Sequence, residues 1–307
     1  MSVLMKFSIQ RDGDSYSTSL KYHIPTFFHD AKIMRRQGRL CHQYSDFYYL
    51  IFIISELSLR TPGLTFSSSG KYTGRHMTDI NSTRSFIPEV YDDVVRQIMP
   101  FYDIIQAEII DIVRTVNPDI TQWLDTGCGT GTLVETALKV FPDTTFILTD
   151  PTELMLERAV DRLKAFPEKQ VRFLPPMPSE GLLVHKGILK PQIITAILCH
   201  HYYTKEQRRT ATGVCYQLLD AGGVFISVEH IMPDSIQSTQ LGIERWKRFQ
   251  VAQGRTSIQA TKHTARFNSE FFPITVHEHL ELLKETGFQT MELFWKSQMQ
   301  AGFYAIK

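Results

Sequence analysis

The chain has 307 residues, 43% of them hydrophobic, and its 33 basic and 32 acidic side chains leave a net charge of +1. That composition excludes a disordered chain, and the charge balance argues against a broad electrostatic surface for duplex nucleic acid. Cys41, Cys128, Cys199 and Cys215 show no CxxC spacing, which argues against a zinc ribbon or disulfide scaffold and points to a reducing cytoplasm; no apolar run approaches the ~20 residues that span a bilayer.

At about 150 residues per domain the length predicts two domains, or one with an appendage. Residues 1–76 show no sustained helical or strand period and carry ten basic against five acidic side chains. Asp46 to Leu57 reads as a buried strand or a short helix, and Leu64 to Gly70 as a linker. Three readings of this extension stand side by side: a poorly ordered tail, a lid or oligomerisation arm, or a stretch upstream of a true start at Met77. Residues 77–307 read as one domain with a formal charge of −4 once the extension's +5 is set aside.

Within that domain, apolar spacing over 88–115 predicts two helical pieces broken near Pro100. Strand and helix signals then alternate. The strands are 120–125, 145–150, 171–174, 193–198 and 223–228; the helices are 132–140, 153–166 and 205–219. The strands are continuous apolar runs, as expected when helices cover both faces of a parallel sheet. A helix over 276–285 precedes 290–295 and 302–307, whose short connection suits an antiparallel hairpin. The predicted fold is α/β: a Rossmann-like seven-stranded, mostly parallel sheet with an antiparallel C-terminal hairpin and helices on both faces.

The sharpest motif is Leu124-Asp125-Thr126-Gly127-Cys128-Gly129-Thr130-Gly131, between the domain's first strand and the next helix. Glycines there let the chain turn tightly and let a ligand approach the backbone. A dinucleotide fingerprint would place its third glycine one position later, where this chain has Thr132, and the acid Asp125 would repel a pyrophosphate but could receive an ammonium group. Asp150 ends the next strand, where a carboxylate can accept hydrogen bonds from both ribose hydroxyls.

This pattern, Asp125-x-Gly127-x-Gly129-x-Gly131 followed by Asp150 and Met155-Leu156, resembles the class I S-adenosylmethionine-dependent methyltransferases over roughly residues 88–307. The resemblance implies S-adenosylmethionine as cofactor. It places Gly127, Cys128 and Gly129 on the methionine side, Asp150 on the ribose, and Pro151 and Met155 beside the adenosine. Within the class the chain is similar to the carboxy-S-adenosylmethionine synthase branch, which modifies the cofactor itself for tRNA wobble-uridine chemistry. Met99-Pro100-Phe101-Tyr102 carries that similarity, with the tyrosine touching the cofactor, as do Arg248-Phe249 to Gly254 and the ending from Gly287 to Ala305. The branch's arginine that grips the added carboxylate is replaced by Val251, with Arg255 nearby, and Pro175-Pro176 stand where a third-strand acid usually contacts adenine. The expected cofactor is therefore ordinary S-adenosylmethionine.

Methyl transfer requires mainly alignment, with a base only where the nucleophile arrives protonated. His200 and His201, after the fourth strand of the domain, are the candidate bases or substrate contacts; the alternative is that one packs against the cofactor and the other caps the next helix. Tyr202 with Tyr203, Glu229, His230, Trp246, Phe249 and Arg255 are assigned to the acceptor pocket. An insertion over 231–273 is expected to cover that pocket; a homodimer interface, as in the related branch, is the other reading of its aromatics. His277 and His279 point apart on a helix, so no metal site is expected. Lys205, Arg208 and Arg209 read as a solvated helix face. The function expected is transfer of a methyl group to an oxygen, nitrogen or sulfur of a small molecule. The alternatives are cofactor-modifying or tRNA-related chemistry and a non-catalytic cofactor-binding protein.

Overall fold

The computed structural model describes residues 2–11, 14–23 and 66–67 by their backbone, and 90–184 and 190–307 in full. Backbone contacts divide the chain into two units, Met1–His76 and Met77–Lys307.

In the first unit, β1 (Ser2–Arg11) and β2 (Asp14–His23) form an antiparallel ladder from Ser2↔His23 to Arg11↔Asp14, and β3 (Phe66–Ser67) pairs antiparallel with β1. This corrects the expectation of no strand period. Val3, Met5, Phe7 and Ile9 recur at every second position and register opposite Tyr22, Leu20, Thr18 and Tyr16. The intervening sequence, Asp12-Gly13, is a dipeptide that favours two-residue hairpin turns. β3 likewise falls inside the stretch read as a linker. Asp46 to Leu57 and the neighbourhood of Met77 lie outside the described residues.

The second unit opens with α1 (Tyr91–Ile98) and α2 (Tyr102–Val116). It continues as β4 (Gln122–Thr126), α3 (Thr132–Ala137), β5 (Thr145–Thr149), α4 (Glu153–Leu163), β6 (Val171–Phe173), β7 (Ile193–Ile197), α5 (Lys205–Leu218) and β8 (Val224–His230). Two insertion helices, α6 (Ile236–Ala252) and α7 (Ser257–Thr264), precede α8 (Val276–Thr286), β9 (Thr290–Ser297) and β10 (Gln300–Ile306). The helix starts of α5, α7 and α8 are fixed by reciprocal capping boxes, Thr204 with Gln207, Thr256 with Gln259 and Thr275 with Glu278.

The sheet order is β6-β5-β4-β7-β8-β10-β9, with β4 to β8 parallel and β10 antiparallel to both β8 and β9. One face buries Trp123, Phe146 and Leu148 against α2, α3 and α4, and the other buries Leu124, Ile147 and Ile194 against α5 and α8. Both faces are covered, which is why these strands need no polar alternation. The strand order reverses between β4 and β7. The crevice outside the carboxyl ends of those strands is where an open α/β sheet offers a ligand site.

Candidate active site

The glycine loop lies at that switch point. Gly127 has φ +72° and Gly129 φ +55°, in the left-handed region that other residues avoid. A Cβ on Gly127 would stand 2.6 Å from Cys199 Cβ, so the loop and the end of β7 touch without room for a side chain. A Cβ on Gly129 would meet only Tyr91, at 4.0 Å, and would instead fill the space between the loop and α1. That space is a cradle open to a ligand.

Two buried acids border it. Asp150 accepts hydrogen bonds from the backbone N–H of Gly129 (2.9 Å) and of Thr152 (2.8 Å). Burial nevertheless pushes its carboxyl up to about 6. Asp125 accepts from the Thr195 hydroxyl at 2.6 Å, and burial pushes it up to about 7, with Asp150 adding to the effect. An acid buried beyond its usual range beside a cradle is a site that gains from an incoming cation or a pair of hydroxyls.

The remaining predicted cofactor residues surround the same loop. Cys128 is buried, its Sγ 3.7 Å from the Gly129 carbonyl, and burial holds its thiol up. Met155 is buried and Pro151 half-buried next to Asp150. Tyr102 directs its hydroxyl to Thr132 Oγ1 at 2.9 Å, at the start of α3. Tyr91, at the start of α1 and passed over by the sequence reading, is a further residue at the loop, its ring the nearest group to the space beside Gly129. α1 is tied over the loop by Asp92, which accepts from Thr130 Oγ1 at 2.6 Å and pairs with Arg162; Arg162 also bonds Glu135 and the Thr130 carbonyl, each at 2.8 Å. An aromatic residue at the start of a helix flanked by acids was the available signal.

The predicted catalytic and pocket residues sit deeper. His200 is buried; its Nε2 is 2.9 Å from Ser179 Oγ, which in turn is 2.8 Å from Thr126 Oγ1. Burial lowers its imidazole to about 4. His201 Nδ1 lies 3.1 Å from Glu229 Oε2, both side chains being 1% exposed. Burial holds His201 neutral, while it pushes Glu229 up to about 7. His201 packs on His230 (ring centroids 4.1 Å apart), Tyr202 (4.4 Å) and Phe271 (5.3 Å). Trp246 packs tilted against His230 and edge-on to His263 and donates its indole N–H to the Ile98 carbonyl at 2.6 Å, tying α6 to the end of α1. Phe249 joins the cluster of Trp246, Phe267, Phe271 and Met299. The structure thus brings Tyr202, Glu229, His230, Trp246 and Phe249 together with His201. Arg255 stands after α6, half-buried, with Nη2 3.5 Å from the Gln259 carbonyl.

Arg208 corrects the solvated-face reading. It is 2% exposed and donates to the Phe272 carbonyl at 2.7 Å, while Lys205 and Arg209 stay outside with Glu278 and Glu285. The residues at 205 and 209 flank it on the turn, but position 208 faces α8 and β8. His277 is exposed beside Glu281, whereas His279 stacks on Phe303 inside.

Residues 124–225 match the family described as a methyltransferase domain. The carboxy-S-adenosyl-L-methionine synthase of Campylobacter lari is 26% identical over 222 residues, covering 72% of this chain and 92% of that protein. The enzyme of the same name from Nautilia profundicola is 23% identical over 221 residues, with the same coverages of 72% and 92%. Among solved structures, a possible exported protein from Bordetella parapertussis shares the fold with a TM-score of 0.51 at 12% identity, over 72% of this chain and 79% of that one. Among the described residues, no helix is long and apolar enough to cross a membrane.

Proposed function

We propose a small-molecule acceptor for this chain, which is a class I S-adenosylmethionine-dependent methyltransferase and uses S-adenosylmethionine as its cofactor. The observation that carries the cofactor assignment to residues is the pair of acids flanking the glycine cradle. Asp150 has its backbone bonds made and keeps lone pairs for two ribose hydroxyls. Asp125, at the end of β4, receives the ammonium group. Gly127, Cys128 and Gly129 line the methionine part, Pro151 and Met155 the adenosine, and Tyr102 and Tyr91 close the site from α2 and α1. When bound, the cofactor supplies a methyl group on a positively charged sulfur.

The chain's own contribution to chemistry is then alignment and exclusion of water. His201 is the histidine suited to take a proton from an oxygen or nitrogen nucleophile. Glu229 accepts its Nδ1–H, which leaves Nε2 as the basic nitrogen. That Nε2 is buried and has no hydrogen-bond partner among the described residues. Tyr202, His230, Trp246 and Phe249 supply an aromatic wall suited to a partly apolar acceptor. The formal charge of −4 on residues 77–307 favours such an acceptor over nucleic acid.

The similarity to carboxy-S-adenosyl-L-methionine synthases supports a second reading, in which the cofactor itself is modified. Val251 at the position of that branch's arginine weighs against it, because a valine cannot pair with a carboxylate. Incubation with methyl-labelled S-adenosylmethionine and a metabolite extract separates the two. A labelled small product supports the first reading. A cofactor that becomes heavier while keeping its labelled carbon, now as a carboxymethyl group on sulfur, supports the second, and labelled tRNA would overturn the small-molecule assignment. His201→Asn should lower turnover about 100-fold without changing cofactor affinity. Unchanged turnover would remove His201 as the base.

A further inference from the structure

We infer that Trp123 and Thr195 are positioning residues, a one-way hydrogen-bond chain that presents Asp125 to the cofactor's ammonium group as an acceptor. The inference deepens the cofactor assignment above and rests on it.

The chain follows from strand register. β4 and β7 are parallel neighbours with Asp125 paired to Thr195, and Trp123 lies two residues before Asp125 on the same face of β4. Trp123 Nε1 donates to Thr195 Oγ1 at 2.9 Å, and Thr195 Oγ1 donates to Asp125 Oδ1 at 2.6 Å. Trp123 and Thr195 are both wholly buried. An indole nitrogen only donates, and a hydroxyl has one hydrogen. With the indole bond placed on its oxygen, the Thr195 hydrogen goes to Asp125. If Asp125 were protonated and donated to Thr195 instead, the hydroxyl hydrogen would lose its acceptor, since its other contact among the described residues is a donor. The arrangement therefore favours the ionised acid by one charge-assisted bond.

That preference has something to work against. Burial opposes ionisation of Asp125, and Asp150 at the end of β5 repels its charge. Cys128 in the loop and Cys199 at the end of β7 also face it, and burial holds both thiols up, so neither adds charge. The cation that completes Asp125 is then the ligand's own. Thr195 is a polar residue inside the apolar run Ile193 to Ile197, where a hydroxyl needs a reason to be buried.

The test measures S-adenosylhomocysteine affinity by calorimetry across about pH 5.5 to 8.5 for the wild type, Thr195→Val, Thr195→Ser and Trp123→Phe. Methylthioadenosine, which keeps the adenosine and lacks the ammonium group, is the matched probe. In the wild type, affinity for S-adenosylhomocysteine should fall as pH drops through the range where Asp125 takes up its proton. Thr195→Val should move that fall to higher pH and weaken binding about five- to tenfold at pH 7, while leaving methylthioadenosine affinity unchanged. Thr195→Ser should restore the wild-type profile, and Trp123→Phe should shift it in the same direction by less. A Thr195→Val protein that binds with the wild-type profile overturns the inference, as does equal weakening of both probes. Should that variant not fold, Trp123→Phe carries the same two-probe comparison. A wild-type protein that binds neither probe would sink the residue assignment of the cofactor site, and this inference with it.

Discussion

Two regions of the second unit bury polar groups in opposite ways. Around the glycine loop, Asp125 and Asp150 are buried and held by short bonds, next to a glycine whose missing Cβ leaves space toward α1. Under the insertion, His201, His230 and His263 are enclosed by one another and by Trp246 and Phe271, and burial keeps all three neutral. The first region stores acids at a cost that a ligand removes. The second packs its histidines into an aromatic cluster and leaves the buried His201 Nε2 without a hydrogen-bond partner among the described residues. Burial alone therefore does not mark a binding site; burial with unspent bonding capacity beside a cradle does.

The largest effect should come from the closed region. Trp246→Ala removes a wholly buried indole and its bond to the Ile98 carbonyl and should cost about 3–5 kcal/mol of stability, read from urea unfolding. Cofactor affinity in the folded fraction should change less than about threefold. A variant that keeps its stability but loses affinity would erase the distinction, because the insertion would then belong to the cofactor site.

Gly127→Ala attacks the open region's backbone. The left-handed φ and the 2.6 Å approach to Cys199 should together cost about 2–3 kcal/mol and reduce S-adenosylhomocysteine affinity more than tenfold. Asp150→Ala should leave folding nearly intact and weaken cofactor binding at least tenfold, about 1.4 kcal/mol. Unchanged affinity by calorimetry would move the ribose elsewhere.

The open region was far more legible from sequence than the closed one. Glycine spacing, Asp125 and Asp150 are local signals, and the apolar runs of β4, β5, β7 and β8 declare a covered parallel sheet. The insertion itself was expected, but its helices hid because α6 buries only Trp246 and Gln250, one turn apart, so its pattern carries little helical stripe. Arg208 hid because charge predicts exposure, and only the packing of α8 and the Phe272 carbonyl reverses that. The N-terminal strand pair was missed because β2 is polar throughout one face and carries Thr18 on the other, which interrupts the apolar set of Tyr16, Leu20 and Tyr22. Thr195 was readable as a polar break in an apolar strand, but its partner Asp125 becomes visible only through the β4–β7 register.

The smallest effect, and the most discriminating, is the response to pH. Histidines whose folded pKa is lowered contribute stability that is complete above their unfolded value, near 6.5, and is lost as pH falls below it. His200, lowered to about 4, and the buried His201, His230, His263 and His279 act in this direction. Asp125, Asp150 and Glu229 are raised, to about 7, 6 and 7, so they contribute stability that is present at low pH and is lost as pH rises through those values. The two sets oppose each other over the same window. The ligand-free protein should therefore depend on pH between roughly pH 5 and 7 less steeply than either set alone would dictate, measured by urea unfolding at each pH. On the proposed assignment a bound cofactor upsets this opposition, because it would hold Asp125 and Asp150 ionised and leave the histidines as they were. The stabilisation by S-adenosylhomocysteine should thus shrink steadily as pH falls below about 7, and it should do so in Trp246→Phe as in the wild type. An Asp150→Asn protein should lose part of that dependence. If instead the dependence follows a substitution among the histidines, such as His230→Asn, the ligand is read by the closed region and not by the two acids.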